Sequence, residues 1–145
     1  MIRPAAEEDV PELVAMIHEL AEYENLADQV AITEEALAAA LFGPDPVIFD
    51  TVVEDPAAGL AGHALWYRTF STFLGRPGIW LEDIYVRAEH RRKGHATALL
   101  RHLRAQTTGR LEWEVLEWNA PALDFYQRLG ARPMAGWTRY RWFEE

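Results

Sequence analysis

Apolar positions in this chain follow two periods in turn, and the changes between them mark out its elements. Over residues 7–23, Val10, Leu13, Val14, Ile17, Leu20 and Ala21 recur at three- and four-residue spacing, which predicts an amphipathic helix behind a short first strand, Ile2-Arg3-Pro4. Thr33-Glu34-Glu35-Ala36 offers an N-cap hydroxyl with acids in the first turn, and so opens a second helix running to Leu41. Gly43-Pro44-Asp45-Pro46 stops it. Residues 47–54 and 59–67 then read as strands joined by the turn Asp55-Pro56-Ala57-Ala58. A loop is expected over residues 69–78, followed by a strand at 80–86 and a helix at 94–106. Residues 111–116 read as a strand, with Leu111, Trp113 and Val115 on one side and Glu112 and Glu114 on the other. A helix over 120–129 closes on Gly130, and residues 132–134 and 137–143 read as a final pair of short strands. The alternation predicts an α/β protein with a mixed sheet and helices on both faces.

The length of 145 residues, half of them apolar, suits one domain with a real core, taken here as residues 1–145. With no cysteine, a disulfide framework, a thiolate metal site and a cysteine nucleophile are all excluded. The opening MIRPAAEEDV is acidic and lacks the apolar stretch of a signal peptide, and no run is apolar enough to span a bilayer. A cytoplasmic protein without a membrane partner is expected. The net charge of −9, from 23 acids against 14 lysines and arginines, argues against nucleic-acid binding, which needs a basic footprint. It suits a cationic ligand, although acidity serves solubility equally well.

Against that acidic background, LEDIYVRAEHRRKGHATALL stands out at residues 81–100. It reads as strand, cationic turn and helix. Arg91-Arg92-Lys93-Gly94-His95-Ala96 combines small residues with three consecutive cations where a helix begins. Unsatisfied N–H groups at such a point, backed by the helix dipole, form an anion site, so a diphosphate-bearing ligand is expected. The five histidines, at 18, 63, 90, 95 and 102, show no metal-ligand spacing; surface or packing roles and no metal site are expected.

The order strand, R-x-x-G-x-A turn and helix, carried by Arg91, Gly94 and Ala96, resembles the coenzyme-A site of the GNAT N-acetyltransferases. A second block, Glu117-Trp118-Asn119-Ala120-Pro121-Ala122-Leu123-Asp124-Phe125-Tyr126 with Leu129-Gly130-Ala131, resembles that family's N-x-x-A-x-x-F-Y segment. Further matches at Glu22-Tyr23-Glu24, Gln29-Val30, Leu81-Glu82-Asp83-Ile84-Tyr85-Val86 and Trp118-Asn119 are similar to the spermidine/spermine (diamine) acetyltransferase branch. The resemblance implies the GNAT fold: a mostly antiparallel mixed sheet, splayed at the coenzyme-A site, with acetyl-CoA as co-substrate.

The implied reaction is direct acetyl transfer to a primary amine in a ternary complex. An alkyl ammonium with a pKa of about 10.4 is neutral in only about one molecule in 2,500 at pH 7, so removing its proton costs ~4–5 kcal/mol. The resemblance assigns Glu82 to binding the amine and taking that proton, directly or through water. It assigns Tyr126 to protonating the departing thiolate. A backbone N–H of the Glu82 strand would polarise the carbonyl. Backbone groups of Ile84, Tyr85 and Val86 would pair with the pantetheine arm. Arg91, Arg92, Lys93, Gly94, His95, Ala96 and Thr97 would wrap the pyrophosphate, with Asn119, Ala122 and Tyr126 completing the cofactor set. Helix capping explains Asn119 as well.

For the acceptor, the resemblance points to Tyr23, Glu24, Glu82, Glu112, Trp113 and Glu114, acids beside aromatic faces that suit an alkyl ammonium. Glu112 and Glu114 also fit the wet face of a strand. Ser71-Thr72-Phe73 and Pro133-Met134-Ala135-Gly136 lack the acids expected of a spermidine-acetylating member. A diamine or a lysine-like amino acid such as thialysine is therefore expected, rather than spermine. Two alternatives stay open: acetylation of protein N-termini or lysines, and non-enzymatic sensing of acyl-CoA. The aromatic strand at 137–143 would suit pairing across a homodimer, as is common in the branch.

Overall fold

The computed structural model describes residues 1–144. They group into two compact units, one of residues 1–114 and one of residues 115–144.

The first unit is built on one sheet whose spatial order follows the chain: β1 (Ile2–Pro4), β2 (Phe49–Asp55), β3 (Gly59–Ser71), β4 (Arg76–Val86) and β5 (Leu111–Trp113). The first four strands pair antiparallel, and β5 lies parallel to β4 because α3 (His95–Arg104) carries the chain across between them. The expected loop over 69–78 is instead a hairpin. β3 and β4 stay paired to Ser71↔Arg76, so the turn shrinks to residues 72–75. Thr69 and Phe70 extend the period-two pattern, while Arg76-Pro77-Gly78 gives no strand signal and is held by pairing with β3.

α1 (Val10–Tyr23) and α2 (Glu34–Phe42) cover one face. Their core joins Val10, Leu13, Met16, Leu37 and Leu41 to Val52, Leu60 and Leu65, with Tyr85 packed against it. Met16 is fully buried, whereas Leu20 is only half-buried. Thr33 caps α2 as expected, its Oγ1 accepting the Ala36 N–H at 3.1 Å. Leu99, Leu100 and Leu103 of α3 are buried on the opposite face. No helix among the described residues is long and apolar enough to cross a membrane.

The start of α1 is tied to the sheet by charge. Arg3 donates to both Asp9 oxygens, at 2.7 and 3.1 Å, and to Glu54 at 3.1 Å. Asp9 also accepts the Ala6 N–H at 2.8 Å. The second unit holds α4 (Ala120–Leu129), closed by Gly130 at φ +101°, where the Ala131 N–H returns to the Tyr126 carbonyl at 3.0 Å. The strands expected at 132–134 and 137–143 do not form among the described residues. A period-two aromatic pattern makes a strand only where a second strand satisfies its backbone, and none pairs with this one here.

Bonding to Arg3 holds the Asp9 carboxyl below its ordinary range against the opposing effect of burial. A depressed carboxyl contributes stability above its unfolded pKa of about 3.9 and loses it as pH falls through the lower folded value. Asp9→Asn should cost about 2 kcal/mol at pH 7, with the deficit shrinking below pH ~4. Denaturant midpoints measured from pH 7 to pH 3 check this.

Candidate active site

The site in the first unit is organised by one irregularity in β4. Leu65 pairs with Asp83 and Trp66 with Leu81, so Glu82 is an extra residue without a partner of its own in β3. A bulge of this kind reverses which alternate residues point their backbone groups to each side. Before it, the Ile79 N–H faces β5, donating to Arg110 at 2.7 Å; after it, the Arg87 N–H faces β3, donating to Ala61 at 2.8 Å. Ile84 and Val86 therefore turn their backbone groups to the outer edge, while Tyr85 turns its own to β3. Pairing with β5 stops at Leu81↔Trp113. The end of β4 thus presents an edge fit to receive an extended chain.

Tyr85 differs from its two neighbours in its side chain as well. Its ring joins the α1 core, and its hydroxyl donates to Glu19 at 3.2 Å. Burial, reinforced by Glu19, pushes this phenol above its ordinary range.

Beyond β4, a short turn at Ala88–His90 leads into the cationic segment. Arg92 at φ +63° and Gly94 at φ +81° are both left-handed, and Gly94 N-caps α3. A Cβ at Gly94 would meet nothing within 4 Å, so its positive φ, and not crowding, calls for glycine there. No side chain caps α3. The first-turn N–H groups of His95, Ala96 and Thr97, with Lys93 exposed beside them, form an electropositive helix start. Burial, and then His90 and Lys93, push the His95 imidazole below its usual range, leaving it neutral at pH 7.

Arg91 is engaged elsewhere. Its guanidinium lies 5.6 Å from the Tyr23 ring and 5.7 Å from the Tyr85 ring, and its Nε donates to the Val86 carbonyl at 3.0 Å. It joins the turn to the end of α1.

Acidic groups gather around the bulge. Glu82 is exposed and accepts the Trp80 indole N–H at 3.1 Å. Asp83 is half-buried, and burial raises its carboxyl pKa; His63 opposes that rise, while Glu82 and Asp50 add to it. Glu24, at the C-cap of α1, is raised by burial and then by Asp83. Tyr23 is the last residue of α1. Glu112 pairs with Trp80, which places it on the face that carries Glu82. Trp113 pairs with Leu81 and takes the opposite face; Glu114 follows β5 and is exposed.

Asn119, Ala122 and Tyr126 belong to the second unit. Asn119 caps α4, its Oδ1 accepting the Ala122 N–H at 3.4 Å, and Tyr126 stands two turns further along with its ring 5.4 Å from Phe125.

Asp83 and a buried pair, Asp50 and His63, escaped the sequence reading. Both side chains of the pair are fully buried, with His63 Nδ1 at 3.1 and 3.0 Å from the two Asp50 oxygens. The available signal was the alternation of β2 and β3, which places a polar residue at an inward position on each. Among the described residues no group of three or more His, Cys, Asp or Glu is placed to hold a metal.

Residues 11–131 match the Acetyltransferase (GNAT) family. Over 155 residues the chain is 40% identical to a thialysine N-epsilon-acetyltransferase of Sus scrofa, covering 97% of this chain and 91% of that protein. It is 30% identical to the Homo sapiens spermidine/spermine N(1)-acetyltransferase-like protein 1, covering 99% of this chain and 22% of that one. In structure it resembles an integron cassette protein from the mobile metagenome of V. cholerae, with a TM-score of 0.81 at 23% identity over 99% of this chain and 92% of the other. An open β4 edge beside an uncapped helix start, in a sequence matched over most of its length, has one meaning: the chain belongs to the GNAT acetyltransferase family.

Proposed function

We propose that this enzyme moves the acetyl group of acetyl-CoA to the terminal primary amine of a small cation, either a lysine-like amino acid or a short diamine. The observation that carries this reading is the convergence of Glu24, Glu82 and Asp83 at the bulge. Their mutual repulsion is relieved by an ammonium. The relative named for thialysine supports the amino-acid side of the class.

In this reading the acceptor ammonium is held by Glu82 and Glu24 beside Tyr23, with Glu112 and Glu114 further out on and after β5, while Trp113 lies on the opposite face and backs the strand. Glu82 takes the proton, directly or through water. The freed amine attacks the thioester carbon, forming the C–N bond as the C–S bond breaks. Tyr126 supplies the proton that the departing thiolate takes up. The outward groups of Ile84 and Val86 receive the pantetheine arm. The Val86 carbonyl already accepts from Arg91, which leaves its N–H for that role. Arg92, Lys93, Gly94, His95, Ala96 and Thr97 take the pyrophosphate, while Arg91 acts by fixing the turn against Tyr23. Asn119 and Ala122 complete the acetyl-CoA contacts. The exposed aromatic side chains of Trp137, Tyr140, Trp142 and Phe143 support a homodimer.

Three measurements test this. Acetyl-CoA consumption should be fast with thialysine, lysine, ornithine or putrescine and slow with spermine; turnover only on peptide amines would replace the small-amine reading. Tyr126→Phe and Glu82→Gln should each lower kcat/KM by about 100-fold or more while acetyl-CoA still binds by calorimetry. Gly94→Val forces a branched side chain into a left-handed position, so it should cost about 1–2 kcal/mol of stability and weaken acetyl-CoA at least about tenfold in Kd.

A further inference from the structure

His63 is fully buried in the middle of the sheet, and its surroundings are set by strand register. Asp50 pairs with Leu65, and Leu65 pairs with Asp83, so these three form one row across β2, β3 and β4. Val52, His63 and Tyr85 form the neighbouring row, two residues along each strand. Residues two apart share a face, so His63 stands diagonal to Asp50 on one side and to Asp83 on the other, within side-chain reach of both. The Asp50 side is a made contact, at 3.0–3.1 Å. On the far side of the ring, Nε2 is buried and has no hydrogen-bond partner.

A buried aspartate–histidine pair is expensive, and an apolar pair of similar volume would serve stability as well or better. Its retention therefore asks for a role outside packing. Burial presses the imidazole towards its neutral form, but the Asp50 carboxylate outweighs this and raises its pKa. The other groups around it are accounted for. Tyr85 bonds Glu19 of α1, and Arg87 is paired with Glu12 and Glu19. Glu24 lies at the end of α1, and the α1 and α2 side chains in this core are otherwise apolar.

We propose that His63, fixed by Asp50, is a positioning residue for the acceptor site, its imidazolium keeping Asp83 ionised so that Asp83 joins Glu82 in binding the substrate ammonium. This rests on the amine-acetylation reading and adds to it a source for the site's charge. A half-buried carboxyl such as Asp83, with Glu82 and Glu24 nearby, would otherwise bind a proton more readily and hold a cation less well.

Asp50→Asn keeps the shape and removes the counter-ion, so His63 turns neutral; losing the His63 charge outweighs losing the smaller repulsion from Asp50, and Asp83 titrates higher. The acid limb of kcat/KM for the amine should then move up by about one pH unit, a tenfold loss on that limb. KM for the amine should rise while KM for acetyl-CoA holds. His63→Gln should shift the limb the same way, and Asp50→Glu should restore it. A merely structural pair would change stability and leave the limb in place; that result, with circular dichroism intact, overturns the proposal. A second readout needs no turnover and no variant. In ¹⁵N and ¹³C NMR titrations of the wild-type chain, both ring nitrogens of His63 should carry protons at pH 7 and the Asp83 carboxyl should be ionised. A neutral His63 or a protonated Asp83 overturns the proposal. If wild type acetylates no amine at all, the functional reading fails separately, while the titration still decides the charge state.

Discussion

One extra residue in β4 is the constraint on which the rest of the site depends. Without Glu82, the hydrogen-bonding parity of β4 would run unchanged from Ile79 to Val86, and the residues after Leu81 would offer the outer edge the wrong set of backbone groups. The bulge reverses that parity where β5 ends its pairing. It also puts two consecutive acidic residues at the bend. An unpaired strand edge and a run of acidic side chains thus come from the same local departure from regular pairing.

Charge at the bend is held in balance. Burial and then Asp83 raise the proton affinity of Glu24, and burial, with Glu82 and Asp50 adding to it, raises that of Asp83; both are half-buried. Such a cluster binds a cation well because an ammonium removes the repulsion. It also tends to bind protons instead. The pair Asp50 and His63 lies behind it, with both side chains fully enclosed in the sheet. Arg91 performs a related service on the other flank. By covering Tyr23 and Tyr85 and bonding the Val86 carbonyl, it joins the cationic turn to the end of α1.

The elements that were legible in the sequence carry their own local determinants. α2 has a hydroxyl cap with acids behind it, α4 has a cap at Asn119 and a left-handed glycine at its end, and α1 has a long apolar stripe. The cationic turn was readable for the same reason, since Gly94, the small residues and the start of α3 are neighbours in sequence. Where the reading failed, pairing decided. Arg76-Pro77-Gly78 became strand because β3 extends alongside it, and the aromatic segment at 137–143 did not because no strand does.

The sequence by itself determined the period of each element, the helix caps, the cationic turn and the motif residues Glu82, Asn119 and Tyr126, all of which depend on residues within about two helical turns of one another. Only the tertiary structure decided the bulge, the side of β4 on which Ile84 and Val86 turn their backbones, and the placing of His63 between Asp50 and Asp83. Those outcomes rest on register between strands far apart in the chain. A shift of one residue reverses every side chain and every backbone group on a strand, and no local pattern in β2, β3 or β4 fixes that choice alone.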